Sequence, residues 1–192
     1  TKLAKTLARA GVPSLVFDYF GCGDSLGDGG DVRPGRWQDD IESARAELAV
    51  RTGAARYVAV GVRLGGLLLA ATLPRLDFAR VVLWDPVESG ASHLEALARE
   101  HRRYLKSLAP LRLLPWPRKR PPAGEWLGIT FPEPVRRELA ELSLKPLLVG
   151  RSEPVFVAEQ RECRWEDPTF LEDVIADTGI SAALAELVTR QP

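Results

Sequence analysis

Tyr57-Val58-Ala59-Val60-Gly61-Val62-Arg63-Leu64-Gly65-Gly66-Leu67-Leu68-Leu69-Ala70-Ala71-Thr72-Leu73 decides the fold. Tyr57 to Val60 is short, apolar and rich in β-branched residues, so it reads as a strand. Leu67 to Leu73 is apolar all round, the composition of a helix buried in the centre of a domain. Between them Gly61, Gly65 and Gly66 flank Arg63 and Leu64. Glycines gather where a turn is strained or two backbones pass closely. The stretch therefore predicts a central strand, a sharp bend with Arg63 at its apex, and a buried helix.

Working outward, Leu3, Leu7 and Ala10 recur at helical spacing and Gly11 ends that segment. Ser14 to Tyr19 reads as a buried strand. Five glycines between positions 21 and 30 then make a loop. Trp37, Ile41, Ala44 and Leu48 form one face of a helix that Gly53 closes. After the bend, Ala79 to Trp84 is a strand closed by Asp85-Pro86. Leu94, Leu97, His101, Tyr104 and Leu108 trace another helix face. Seven of the 15 prolines fall between Pro110 and Pro134, with Trp116, Trp126 and Arg118-Lys119-Arg120. That stretch, 110–134, reads as a Pro-rich lid or irregular insertion. Pro134 starts a helix with Val135, Leu139 and Leu142 inward. Lys145 to Gly150 reads as a further strand. Pro154 to Ala158 follows so closely that it is either an antiparallel strand or a helix, because a parallel crossover needs about a dozen residues. Phe170 to Ile175 and Ile180 to Val188 close the chain as helices. Helices alternating with strands give an α/β domain over 1–192: a mostly parallel sheet with helices on both faces.

The 192 residues carry 26 Lys plus Arg against 26 Asp plus Glu, which removes any global attraction to nucleic acid or anionic membranes. No apolar run reaches transmembrane length. The two cysteines, Cys22 and Cys163, make neither a disulfide framework nor a metal cluster, and read as free thiols in a reducing compartment. No metal and no cofactor is expected. The two histidines are His93 and His101, and most hydrolytic triads need one.

A strand, a glycine-flanked apex and a buried helix have the layout of the nucleophile elbow, G-x-S-x-G; here the line is Gly61-Val62-Arg63-Leu64-Gly65. Asp18-Tyr19-Phe20-Gly21-Cys22-Gly23-Asp24-Ser25 resembles the D-x-x-G-x-G-x-S loop of serine aminopeptidase-like α/β hydrolases. Together with Gly61-Val62-Arg63-Leu64-Gly65-Gly66 and Trp84-Asp85-Pro86-Val87, the chain most resembles the hydrolase-like proteins associated with the exosortase A system, in which arginine replaces the elbow serine. The resemblance covers residues 1 to about 150 well and the tail poorly. It implies an α/β-hydrolase fold, a bacterial cytoplasmic setting, and a context of exopolysaccharide production and protein sorting. The family's nucleophile falls on Arg63, whose guanidinium stays protonated and cannot attack a carbonyl. The family's histidine position is empty, with Trp165 or Asp167 nearby; its acid falls on Glu153 or Asp85. The oxyanion loop would precede residue 1. With methionine absent, strands N-terminal to this sequence are expected.

The degenerate triad makes ordinary serine chemistry improbable. Arg63 and Leu64, at a helix N-terminus, could bind a carboxylate or phosphate of a small anionic or ester-like ligand. Arg63 could equally be half of a structural ion pair with Asp18, Asp24 or Asp85. Asp85 could be a general base or merely cap a turn, and His93 could share its pocket. His101 reads as a core histidine with a satisfied ring. Asp18, Cys22, Asp24 and Ser25 line the cleft, Ser25 as a turn residue and Cys22 as an inert thiol for want of a nearby cation. Trp116 to Arg120 is either a docking patch or a solvated lid edge. Two functions follow: a hydrolase by kinship with its serine chemistry lost or replaced, or a non-catalytic module that holds an anionic ligand or partner segment. An intact hydrolase partner that completes the site is a third.

Overall fold

The computed structural model describes residues 2–27, 30–107, 124–151, 154–158 and 178–189. Its centre is β2, Arg80–Trp84, with β1, Val58–Val62, on one side and β5, Val155–Ala158, on the other, all parallel. Val81, Val82 and Leu83 are 0% exposed, as a middle strand covered on both faces requires. Side chains alternate across such a strand. Val81 and Leu83 join the main core, with Trp37 and Ile41 of α2, Pro34–Thr52, and Leu68 and Leu69 of α3, Leu64–Thr72. Arg80 points the other way and donates to the carbonyl of Leu187 in α7, Thr178–Thr189. That carbonyl lies in the last turn of α7, where a cation suits the helix dipole. α1, Lys2–Arg9, packs on α7. Helices therefore cover both faces of the parallel sheet, as the alternating elements predict.

α4, Gly90–Ser107, is capped by Ser89, whose hydroxyl oxygen accepts the Ser92 amide at 3.1 Å. It packs on α5, Glu133–Glu141, so closely that a Cβ at Gly90 would stand 1.8 Å from the Leu139 carbonyl oxygen. Pro134 lies in the first turn of α5 as expected, and Val135 and Leu139 are fully buried. Glu125–Trp126 and Ile129–Thr130 form a two-stranded hairpin, β3 and β4. The expected insertion at 110–134 thus ends in ordered structure, while its residues 110–123 lie outside the described residues. So do Leu108, Trp116 to Arg120, Glu153, Cys163, Trp165, Asp167 and the helix expected over Phe170 to Ile175.

Four expectations need correction. Ser14 to Tyr19 is not a strand: exposure alternates strictly along it, but no described backbone lies in register to form a ladder. Lys145 to Gly150 is not a strand either. Leu144–Leu148 is a short helix, α6, with Leu144, Leu147 and Leu148 turned inward at steps of three and one. A short apolar run cannot be told from a helix by periodicity alone. Without that intervening strand, the objection to a parallel Val155–Ala158 disappears, and β5 pairs parallel with β2. Lastly, β1 is the edge of the described sheet, not its centre.

Candidate functional site

The bend after β1 is as sharp as the glycines suggest. Arg63 has φ 51° and ψ −122°, a backbone region that costs a non-glycine residue strain. It immediately precedes α3. A Cβ at Gly61 would lie 2.7 Å from the Gly66 Cα, and one at Gly66 would lie 3.0 Å from the Pro86 Cβ. Strand, helix and the 85–86 turn can approach this closely only because these positions lack side chains.

Hydrogen bonds tie the apex to the turn after β2. The Arg63 amide donates to the Trp84 carbonyl at 3.1 Å, and the Arg63 carbonyl accepts from Gly66 at 3.0 Å and Val87 at 3.4 Å. The Arg63 Nη1 donates to the Asp85 Oδ2 at 3.1 Å and to the Asp85 carbonyl at 3.3 Å. Of the candidate carboxylates, Asp85 therefore forms the ion pair. The Arg63 side chain remains 34% exposed and that of Asp85 19%. Asp85 itself has φ 44°, a conformation aspartate tolerates better than most residues.

His93 stands on α4 within the electrostatic reach of Arg63. Burial, and then the Arg63 cation, push its imidazole down to about 4. At neutral pH it is uncharged, and such a low value makes it a weak base. Burial governs its charge, and the neighbour that adds to the effect is a cation, not a carboxylate. Arg63, Asp85 and His93 are thus brought together, but as an ion pair beside a neutral ring. His101 is half-buried, not in the core as expected, and its Nδ1 accepts the Leu127 amide at 3.2 Å.

The glycine loop is organised around its own residues. The Asp18 carboxylate accepts the Asp24 amide at 3.3 Å and fills the space where a Cβ of Gly23 would stand. The Ser25 amide donates to the Cys22 carbonyl at 3.0 Å, in keeping with a turn role. Burial and the nearby Asp18 and Asp40 carboxylates push the Cys22 thiol up, away from the reactive thiolate. The Asp40 carboxylate accepts the Phe20 amide at 2.8 Å, and the Trp37 indole donates to the Phe20 carbonyl at 3.1 Å. These bonds fasten the loop to α2.

The sequence assigns Tyr19 to a strand end and to the glycine-loop motif but gives it no role at the site. Its hydroxyl oxygen would be 3.8 Å from a Cβ at Gly65, so it borders the elbow helix directly. Burial, with Asp40 and Cys22 adding to it, pushes its hydroxyl up to about 12. It packs against Phe17 and Trp37. Its position in an apparent strand gave no signal of that role. Among the described residues no group of histidine, cysteine and carboxylate side chains could hold a metal ion, and no helix is long and apolar enough to cross a membrane.

No family model matches the chain, and no curated protein matches it. Among solved structures it is similar to alpha/beta hydrolase domain-containing protein 10 from mouse, with a TM-score of 0.47 and 14% sequence identity over 96% of this chain and 83% of that one.

Proposed function

We propose that this chain is an α/β-hydrolase-type domain that has exchanged serine chemistry for anion binding at the elbow. The observation that carries this is the apex itself: a guanidinium at Arg63, on a strained turn at a helix N-terminus, one-third exposed beside a neutral imidazole. Arginine cannot serve as the nucleophile. His93 is too weakly basic to replace the missing histidine well, and the carboxylate of Asp85 is engaged with Arg63. The site therefore lacks the acid–base pair that acyl transfer needs. It keeps a planar donor fork suited to a carboxylate or phosphate. Asp85 acts as an internal stand-in for that ligand and competes with it. Leu64 contributes through its amide in the first turn of α3. The sequence resemblance supports a setting in the bacterial cytoplasm, linked to exopolysaccharide production and protein sorting.

Calorimetric titration with inorganic phosphate and succinate tests this, alongside turnover of p-nitrophenyl acetate. Binding is expected in the wild type, lost in Arg63→Gln and tightened in Asp85→Asn, where the internal competitor is neutral. No ester turnover is expected, in the wild type or in Arg63→Ser. Turnover that disappears in Asp85→Ala would overturn the reading in favour of an enzyme. Absence of anion binding in both the wild type and Asp85→Asn would reduce Arg63 to a structural tie.

A further inference from the structure

The β3–β4 hairpin is held at two places that differ in kind. At its base the Gly124 carbonyl accepts the Phe131 amide at 2.8 Å, and Phe131 is 4% exposed. Trp126 packs against the Phe131 ring, and the Arg136 guanidinium lies 5.6 Å from the centre of the Trp126 ring. At the tip, the pairing of Trp126 with Ile129 leaves a two-residue turn, Leu127-Gly128. Both turn residues have positive φ, 53° and 81°, the geometry that matches the twist of paired strands. Asparagine or aspartate usually takes the first of these positions, and leucine adopts it only under strain. Burial does little to fasten the tip, since Leu127 is 43% and Ile129 51% exposed. A lone two-stranded hairpin is marginal in water.

What ties the tip to α4 is the hydrogen bond from the Leu127 amide to the His101 Nδ1. In a two-residue hairpin that amide has no place in the ladder, so the ring nitrogen is its partner. Nδ1 accepts only in the neutral imidazole whose proton sits on Nε2; in the imidazolium both nitrogens are donors. Protonation would therefore set one N–H against another. The charged groups on the packed elements are Glu100, Arg102, Arg103 and Lys106 of α4 itself, Glu125 of β3, and Glu133 and Arg136 of α5, while α3 carries none. Glu100 is paired with Arg103, and Glu133 with Arg136. One turn from His101 along α4 stand Leu97, Ala98, Tyr104 and Leu105, none of them charged at neutral pH. Among the described residues no carboxylate pairs with the His101 ring, so an imidazolium gains no ion pair to replace the lost bond.

We propose that His101 is a pH-operated latch on this hairpin. While neutral, the ring holds the Leu127-Gly128 turn against α4. Once protonated, it lets the turn go, and relief of the strain at Leu127 favours the departure. The base stays in place, because Phe131 and Trp126 hold it by packing, which does not titrate. Histidine is the side chain suited to switching in mildly acidic conditions, so acidification would loosen one surface hairpin without unfolding the domain. This inference is independent of what Arg63 binds.

The 192-residue chain should be followed by NMR from pH 8 to pH 5, reading the ring nitrogens of His101 and the exchange of the Leu127 amide, corrected for the intrinsic pH dependence of exchange. Far-UV circular dichroism over the same range reports whether the domain stays folded. At pH 8 the ring should carry its proton on Nε2 and the Leu127 amide should be protected. On acidification that protection should fall about fivefold, the loss expected for one hydrogen bond, in step with the titration of the ring and with the dichroism unchanged. His101→Asn offers a side-chain oxygen that does not titrate, so its Leu127 protection should be the same at both ends of the range. His101→Phe keeps a ring but no acceptor, so its protection should be low throughout. The proposal is overturned if the ring at pH 8 carries its proton on Nδ1, if Leu127 protection does not follow the ring, or if His101→Asn loses protection with acid as the wild type does. Protection that falls only together with the dichroism is unfolding of the domain, and that too overturns the latch.

Discussion

Acidification should weaken this fold through His93, and the size of the effect can be worked out. An unfolded imidazole has a pKa near 6.5, so at pH 5 its protonated form outnumbers the neutral one by roughly 30 to 1. In the folded chain, burial and Arg63 hold the same ring at about 4, so at pH 5 it is protonated only about one time in ten. The unfolded state therefore gains protons that the folded state refuses. Stability contributed by the neutral ring is complete above pH 6.5, is lost as pH falls from 6.5 toward 4, and is lost no further below that. Between pH 8 and pH 5 the loss comes to about 2 kcal/mol, a ceiling because the ring keeps some solvent screening. Urea unfolding of the wild type and His93→Asn at pH 8, 6.5 and 5 isolates the contribution of this ring, since every other side chain is common to both. The wild type should lose more stability than the variant over this interval, by up to that amount. If both lose equally, or if the variant loses more, the ring is not held neutral by its surroundings and its placement beside Arg63 is wrong.

Gly61→Ala forces a Cβ to within 2.7 Å of the Gly66 Cα; because both partners are backbone, the cost should reach about 3 kcal/mol, visible as a lowered thermal midpoint. Leu139→Ala, at a position 0% exposed, should cost about 2–5 kcal/mol by denaturant unfolding, whereas Val50→Ala, at a position 83% exposed, should cost well under 1 kcal/mol. With Cys163 replaced by serine, Cys22 should react with iodoacetamide at pH 7 more slowly than free cysteine, because its thiol is pushed up; reaction faster than free cysteine would contradict the electrostatics described for the loop.

The elbow was legible in the sequence because steric crowding leaves a sharp residue signature. Gly61 and Gly66 are glycine for lack of room, and such requirements are visible one residue at a time. The helices were legible for a similar reason: Trp37 and Ile41 repeat at helical spacing and both are buried. What escaped was decided by neighbours distant in sequence. Ser14 to Tyr19 has a strand's composition and alternation, yet a strand exists only through its partners. Leu144 to Leu148 has the composition of a strand, but it is fastened at its start by the Glu88 carbonyl, which accepts the Leu144 amide at 2.9 Å. At the site, the presence of Arg63, Asp85 and His93 could be read, and so could the chance of an ion pair. The choice of Asp85 over Asp18 or Asp24 could not, because it depends on the turn after β2 being stitched to the apex.

The connectivity of the sheet carries a kinetic consequence. β1 and β2 are joined through one short helix, so their union closes a small loop and can form early. β5 reaches the other side of β2 only after the chain has travelled from Trp84 to Val155. Ordering so long an intervening stretch is entropically demanding, and contacts of this range slow the search for the native state. Newly made chains should therefore pass through a stage in which Val81, Val82 and Leu83 sit on an open flank. During that interval the most deeply buried of the described strands is exposed to intermolecular association, and dilute, cool refolding should raise the yield.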